Sequence, residues 1–114
     1  MKQLIDALRD MGCDMDGAMD RFLDDTELYY DCFASVLNDP AFEDLGIALK
    51  EGRVKEAFDA AHTLKGIISN MGLTPLLDIL ADIVEPLREG NGQGLLPIYD
   101  KMMDETKKYK AFLE

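Results

Sequence analysis

Histidine occurs once in these 114 residues, cysteine twice, proline four times and tryptophan not at all. Each scarcity excludes something. Cys13 and Cys32 lie far apart, form no Cys-x-x-Cys pair and are too few for the disulfide framework of a small secreted domain, so both read as free thiols. A single histidine cannot supply the paired carboxylate-x-x-His ligands of a metal site inside a helical bundle, although Asp59 precedes His62 at the right spacing. Basic side chains are also short: 12 Lys and Arg stand against 23 Asp and Glu, a formal net charge of −11. So acidic a chain lacks the clustered cations that displace counterions from nucleic acid, and anionic membranes repel it. No apolar run approaches the ~18 residues of a membrane span, and the opening MKQLIDALRD has no signal-peptide apolar region. The expectation is a cytoplasmic chain with no nucleic-acid or membrane partner.

Familiar site motifs fail on inspection. Asp14-Met15-Asp16 resembles the start of a calcium loop, but Met19 stands where glycine is required and Asp25 where the bidentate glutamate belongs. The glycines at 90, 92 and 94 follow no strand and open no phosphate-cradling βαβ unit; they read as a turn. No nucleotide-binding motif occurs elsewhere. Ser69 has no oxyanion hole or orienting third group to make it a nucleophile. The seven methionines read as core filling. No metal or cofactor of the chain's own is expected.

What is present is helical periodicity. With 47% hydrophobic residues, residues 1–114 are expected to form one domain around one core. Leu4, Ile5 and Leu8 mark a short first helix stopping near Gly12, followed by a connection over Asp14 to Gly17. A second helix is expected from about Gly17 to Asn38, and a third from the Asp39-Pro40 cap to about Glu51. Val54, Ala57, Ala61, Leu64, Ile68 and Met71 form the seam of the next helix, ending at Gly72 in a left-handed conformation. Thr74-Pro75 opens its antiparallel neighbour, which continues to Arg88 with a kink or early fraying after Val84 because of Pro86. After the turn at Gly90 to Gly94, Leu95, Tyr99, Met102, Thr106, Tyr109 and Leu113 mark the last helix. No stretch alternates as a strand would. The predicted fold is all-α: an up-and-down antiparallel four-helix bundle with a short extra N-terminal helix.

His62 does not belong to the seam. At ~100° per residue it lies roughly 125° from the seam's centre, on a solvent-facing flank with Phe58, Lys65, Gly66 and Ser69. Glycine in a helix interior costs about 0.5–1 kcal/mol relative to alanine, so Gly66, one turn beyond His62, suggests that something must approach closely there. Lys65 can bring an ammonium beside whatever bonds to the imidazole. The run AHTLKGIISNMG resembles the signature of histidine-containing phosphotransfer (HPt) domains. Met19-Asp20-Arg21-Phe22, Glu27-Leu28-Tyr29, Leu80-Ala81, Glu85 and Arg88 also fall where that family has similar residues. Ile67 and Ile68 depart from it, since small or hydroxylated residues are usual there.

The resemblance implies that His62 is a phosphoryl acceptor, Lys65 its charge-stabilising neighbour and Gly66 the clearance that lets a partner reach the ring. It implies a phosphoryl carrier, not an enzyme, in a multistep two-component relay. Its partners would be response-regulator receiver domains or a hybrid histidine kinase, met by the flank of Phe58 and Ser69. Mg²⁺ would belong to the receiver. A non-phosphorylated module that docks a receiver or kinase is the alternative, and the intact His, Lys and Gly argue against it. The initiating Met1 and the length favour a free-standing chain over a domain of a larger kinase, and a monomer is expected.

Overall fold

Three aspartates set helix starts in the first half of the chain. Asp14, Asp25 and Asp39 each accept a hydrogen bond from a backbone N–H of the first turn, from Gly17 at 3.0 Å, Leu28 at 3.0 Å and Ala41 at 2.9 Å. Each satisfies a donor that has no partner inside its helix. The computed structural model describes residues 2–113, and among them are seven α-helices: α1 Lys2–Asp10, α2 Met15–Arg21, α3 Thr26–Leu37, α4 Pro40–Lys50, α5 Val54–Asn70, α6 Thr74–Arg88 and α7 Leu96–Lys110. A 3-10 turn, Ala111–Leu113, closes the described chain. The all-α expectation holds, with no strand among the described residues.

The single helix expected over Gly17 to Asn38 is two. Its first turn starts earlier, at Met15, so the supposed connection at Asp14 to Gly17 is the cap and opening of α2. The break falls at Leu23 and Asp24, which take φ of 54° and 58°. The N–H of Leu23 donates to Asp20 O and that of Asp24 to Met19 O, the paired bonds of a Schellman ending, after which Asp25 caps α3. A left-handed conformation costs a residue with a Cβ roughly 1–2 kcal/mol, which is why apolar spacing gave no warning of it.

The fraying expected after Val84 is absent. α6 continues through Pro86 to Arg88. Proline in a helix interior costs ~3 kcal/mol, but Leu80, Ile83, Val84 and Leu87 are all buried, and one such side chain contributes about 1.5–3 kcal/mol. The end is then closed by Gly90 N–H on Leu87 O and Asn91 N–H on Pro86 O.

α4 packs on α5, α5 on α6 and α6 on α7, while α7 also meets α4 and α3. Two of these contacts depend on a missing side chain. Gly46 of α4 lies against Tyr99 of α7, whose hydroxyl donates to Phe42 O at 2.8 Å. At Gly72, φ is +74° and any Cβ would run into the backbone oxygen of Asp14.

α2, with its cap Asp14, and α3 are fastened to the C-terminal end of α5 by a set of hydrogen bonds. Asp14 N–H donates to Gly72 O at 2.8 Å, the buried Tyr29 hydroxyl to Met71 O at 2.8 Å, and the Arg21 guanidinium to Asn70 O at 3.0 Å and Ser69 O at 3.1 Å. These use up carbonyls that a helix end leaves open. Behind them, Phe22, Tyr29, Phe33 and Tyr109 form a chain of aromatic contacts, with centroids 5.2, 6.2 and 6.4 Å apart.

Candidate functional site

The predicted seam of α5 is the buried one. Ala57, Ala61, Leu64, Ile68 and Met71 are buried and Val54 is half-buried. Two fully buried residues, Ala61 and Leu64, therefore flank the sequence positions of His62 and Thr63, and the helix geometry carries His62 outward. His62 is exposed, as are Lys65, Gly66 and Ser69. Among the described residues no group hydrogen-bonds the imidazole, which leaves its nitrogens to solvent or to a partner.

The ring is nevertheless held. Phe58, one turn earlier, packs partly into the core, and its ring centroid lies 5.8 Å from that of His62 at a tilt of 33°. Phe58 thus walls one side of the imidazole without burying it. Thr63 donates to Asp59 O at 3.1 Å, a bond back along the helix that occupies its hydroxyl. Lys65 has no ion-pair partner among the described residues, so its ammonium is free for an anion. A Cβ built on Gly66 would meet nothing within 4 Å. No packing inside the chain requires glycine at this position.

Ile67, one of the two departures from the family pattern, is half-buried against the core. The Ser69 side chain is exposed, and it is its backbone carbonyl, not its hydroxyl, that holds Arg21.

One residue joins this site from α6. Arg88 lines an open depression together with Phe58, Asp59, His62 and Thr63. It is paired with Glu85 at 2.6 Å on the same helix face, both side chains remaining about half exposed. Arg88 was legible as a family likeness but not as a neighbour of His62. The tight turn at Met71 to Leu73 held the signal, since mirroring α5 onto α6 about that turn brings the end of α6 beside Phe58.

A larger cavity, about 650 Å³, lies elsewhere, between the α4–α5 turn and the loop Gly90 to Pro97. Its only titratable lining side chain is Lys50. Among the described residues no three His, Cys, Asp or Glu side chains converge to hold a metal ion. No described helix is long and apolar enough to cross a membrane.

The imidazole of His62 is thus exposed and backed by Phe58, beside a depression that Arg88 also lines, with Lys65 exposed three residues further along α5. The chain matches the family model for the Hpt domain over residues 19–109 and belongs to that family. No curated protein and no solved structure matches it. Hpt domains serve in two-component phosphorelays as phosphocarrier modules, not enzymes, and interact with receiver domains and histidine kinases.

Proposed function

We propose that His62 is the phosphoryl carrier of a multistep relay, taking the group from an aspartyl-phosphate on one receiver domain and giving it to the aspartate of another. The reading rests on one observation above all: the lone histidine of the chain stands exposed, within the run His62-Thr63-Leu64-Lys65-Gly66. In the forward step an imidazole nitrogen attacks phosphorus in line, the N–P bond forms as the bond to the carboxylate oxygen breaks, and the aspartate leaves as carboxylate. The reverse step regenerates the free imidazole. Mg²⁺ and the acidic pocket that stabilise this transition state belong to the receiver. This chain contributes a positioned nucleophile and nearby positive charge.

On this reading residues 1–114 form one domain. α4 to α7 are an up-and-down antiparallel four-helix bundle and α1 to α3 its N-terminal cap. Lys65 and Arg88 are the charge-stabilising pair, Gly66 is the clearance, and Phe58 and Ser69 belong to the partner-facing surface. The chain works in the cytoplasm as a monomer and has no ATP chemistry of its own.

The test is a screen of the organism's phosphorylated receiver domains against the purified chain. The expected product is an acid-labile, base-stable modification on His62, absent in His62→Gln while helical circular dichroism is unchanged. Labelling that persists in the variant, or that is found on an aspartate, overturns the reading.

A further inference from the structure

Among the described residues five helices end in the same pair of backbone hydrogen bonds, and only one of these does so without glycine. At the ends of α1, α4, α5 and α6 the left-handed position is held by Gly12, Gly52, Gly72 and Gly90. At the end of α2 it is held by Leu23, with Asp24 also left-handed behind it. Nothing inside the fold repays this choice. Leu23 is 87% exposed, the most exposed of the large apolar side chains among the described residues. A hydrophobic residue has been kept in a conformation that disfavours it and aimed at water.

Its surroundings are uniformly acidic. Asp20, Asp24, Asp25, Glu27 and Asp31 are all exposed, and Leu28, five residues on, is a second apolar residue nearly half exposed among them. Arg21 is the one basic residue between Arg9 and Lys50, and its guanidinium is committed to the carbonyls of Ser69 and Asn70. That same bond fixes where the corner lies. Ser69 is two turns, about 10 Å, along α5 from His62. A standard protein interface covers ~800 Å² on each partner, a patch roughly 30 Å across, about three times the distance from His62 to Ser69.

We infer that the α2–α3 corner, with Leu23 as its apolar tip and Asp20, Asp24, Glu27 and Asp31 as its rim, is a second docking point for the receiver domain that exchanges with His62. It fits an apolar socket rimmed by Lys and Arg on that receiver, away from the receiver's own acidic phosphorylation pocket. A second copy of this chain is a poor occupant, because the corner would meet charge of its own sign. The inference rests on the relay reading for the identity of the partner. Its chemistry is a fully exposed anchor for a desolvated pocket, with surrounding charge that steers the encounter.

The experiment uses Leu23→Gly, which removes the tip and suits the left-handed backbone, and Leu23→Asn as a second variant. Three quantities are read: the thermal midpoint, phosphorylation of His62 by phosphoramidate, and affinity and transfer with the receiver that exchanges fastest with the native chain. The expected result is an unchanged or raised midpoint and unchanged chemical phosphorylation, with receiver binding weakened roughly tenfold or more. Neutralising Asp20, Glu27 and Asp31 as Asn, Gln and Asn should slow association and flatten its dependence on salt. A fall in midpoint for both Leu23 variants makes the leucine structural and overturns the proposal. So does receiver binding equal to that of the native chain; normal transfer in that case leaves the relay reading standing. Binding that depends on Leu23 without any transfer to or from His62 has the opposite meaning, keeping the docking point and removing the relay.

Discussion

Gly66 stands one turn beyond His62 on the exposed side of α5, and a methyl group built on it would touch no other part of the protein within 4 Å. Stability and function should therefore respond in opposite directions. Gly66→Ala is expected to raise the melting temperature, by the ~0.5–1 kcal/mol that alanine gains over glycine in a helix interior, and to lower the transfer rate. Gly66→Gln, also a good helix former, should fold and nearly lose transfer. A folded Gly66→Gln protein that accepts phosphate at the native rate would remove the clearance role.

Lys65 and Arg88 reach the His62 region from different helices, so their contributions should combine. An exposed cation beside a phosphoryl group is worth ~1 kcal/mol, so Lys65→Ala or Arg88→Ala alone should slow transfer by about tenfold or less. The double variant should lose more than either. Neither change should lower the melting temperature measurably, since the only ion pair broken, Arg88 with Glu85, is half exposed. Transfer kinetics identical to native in the double variant would make both ordinary solvated cations.

Alanine at Gly46 should act against stability, in contrast to alanine at Gly66. Its Cβ would lie 2.5 Å from the hydroxyl oxygen and 2.6 Å from Cζ of Tyr99, so the ring must swing away and give up its bond to Phe42 O. Overpacking of this kind costs about 1–3 kcal/mol, more than the helix preference for alanine returns. Denaturant melts should show a loss for Gly46→Ala that Tyr99→Leu largely relieves in the double variant. A Gly46→Ala chain more stable than native would show that α4 and α7 are not held at this distance.

Alkaline pH should destabilise the fold through its buried hydroxyls and thiol. Burial raises the pKa of Tyr29, Tyr109 and Cys13, with the Glu105 carboxylate adding to the shift at Tyr109 and at Cys13. The folded chain keeps protons that the unfolded chain releases above about pH 8.5 for cysteine and about 10 for tyrosine. The unfolded state then binds fewer protons, so unfolding free energy falls as pH rises; below pH ~8 these groups contribute no pH dependence. Tyrosinate absorbance should show Tyr29 and Tyr109 ionising only as helical circular dichroism is lost. Smooth titration of all four tyrosines in a folded chain would contradict this.

Much of the site was legible because it lies on one helix. The interval pattern from Val54 to Met71 placed His62 outside the seam, and the exposed flank of His62, Lys65, Gly66 and Ser69 follows from that periodicity alone. The stop at Gly72 and the restart at Thr74-Pro75 were equally local, since each depends on the backbone chemistry of two or three adjacent residues. The break at Leu23 was not legible, because a leucine gives no sign that it will take a left-handed conformation. Nor was the continuity of α6 through Pro86, where buried contacts outweigh a local preference.

By itself, then, the sequence determined that the chain is helical, where its longest apolar seam runs and which residues share the outer face with its only histidine. Tertiary structure decided what stands opposite that face. Arg88 comes beside His62 through the packing of α6 on α5, and Arg21, Tyr29 and Asp14 fix the N-terminal helices to carbonyls more than 40 residues away. Helical periodicity repeats every few residues and can be read along the chain, whereas helix register depends on side chains and backbone groups that become neighbours only when the core closes.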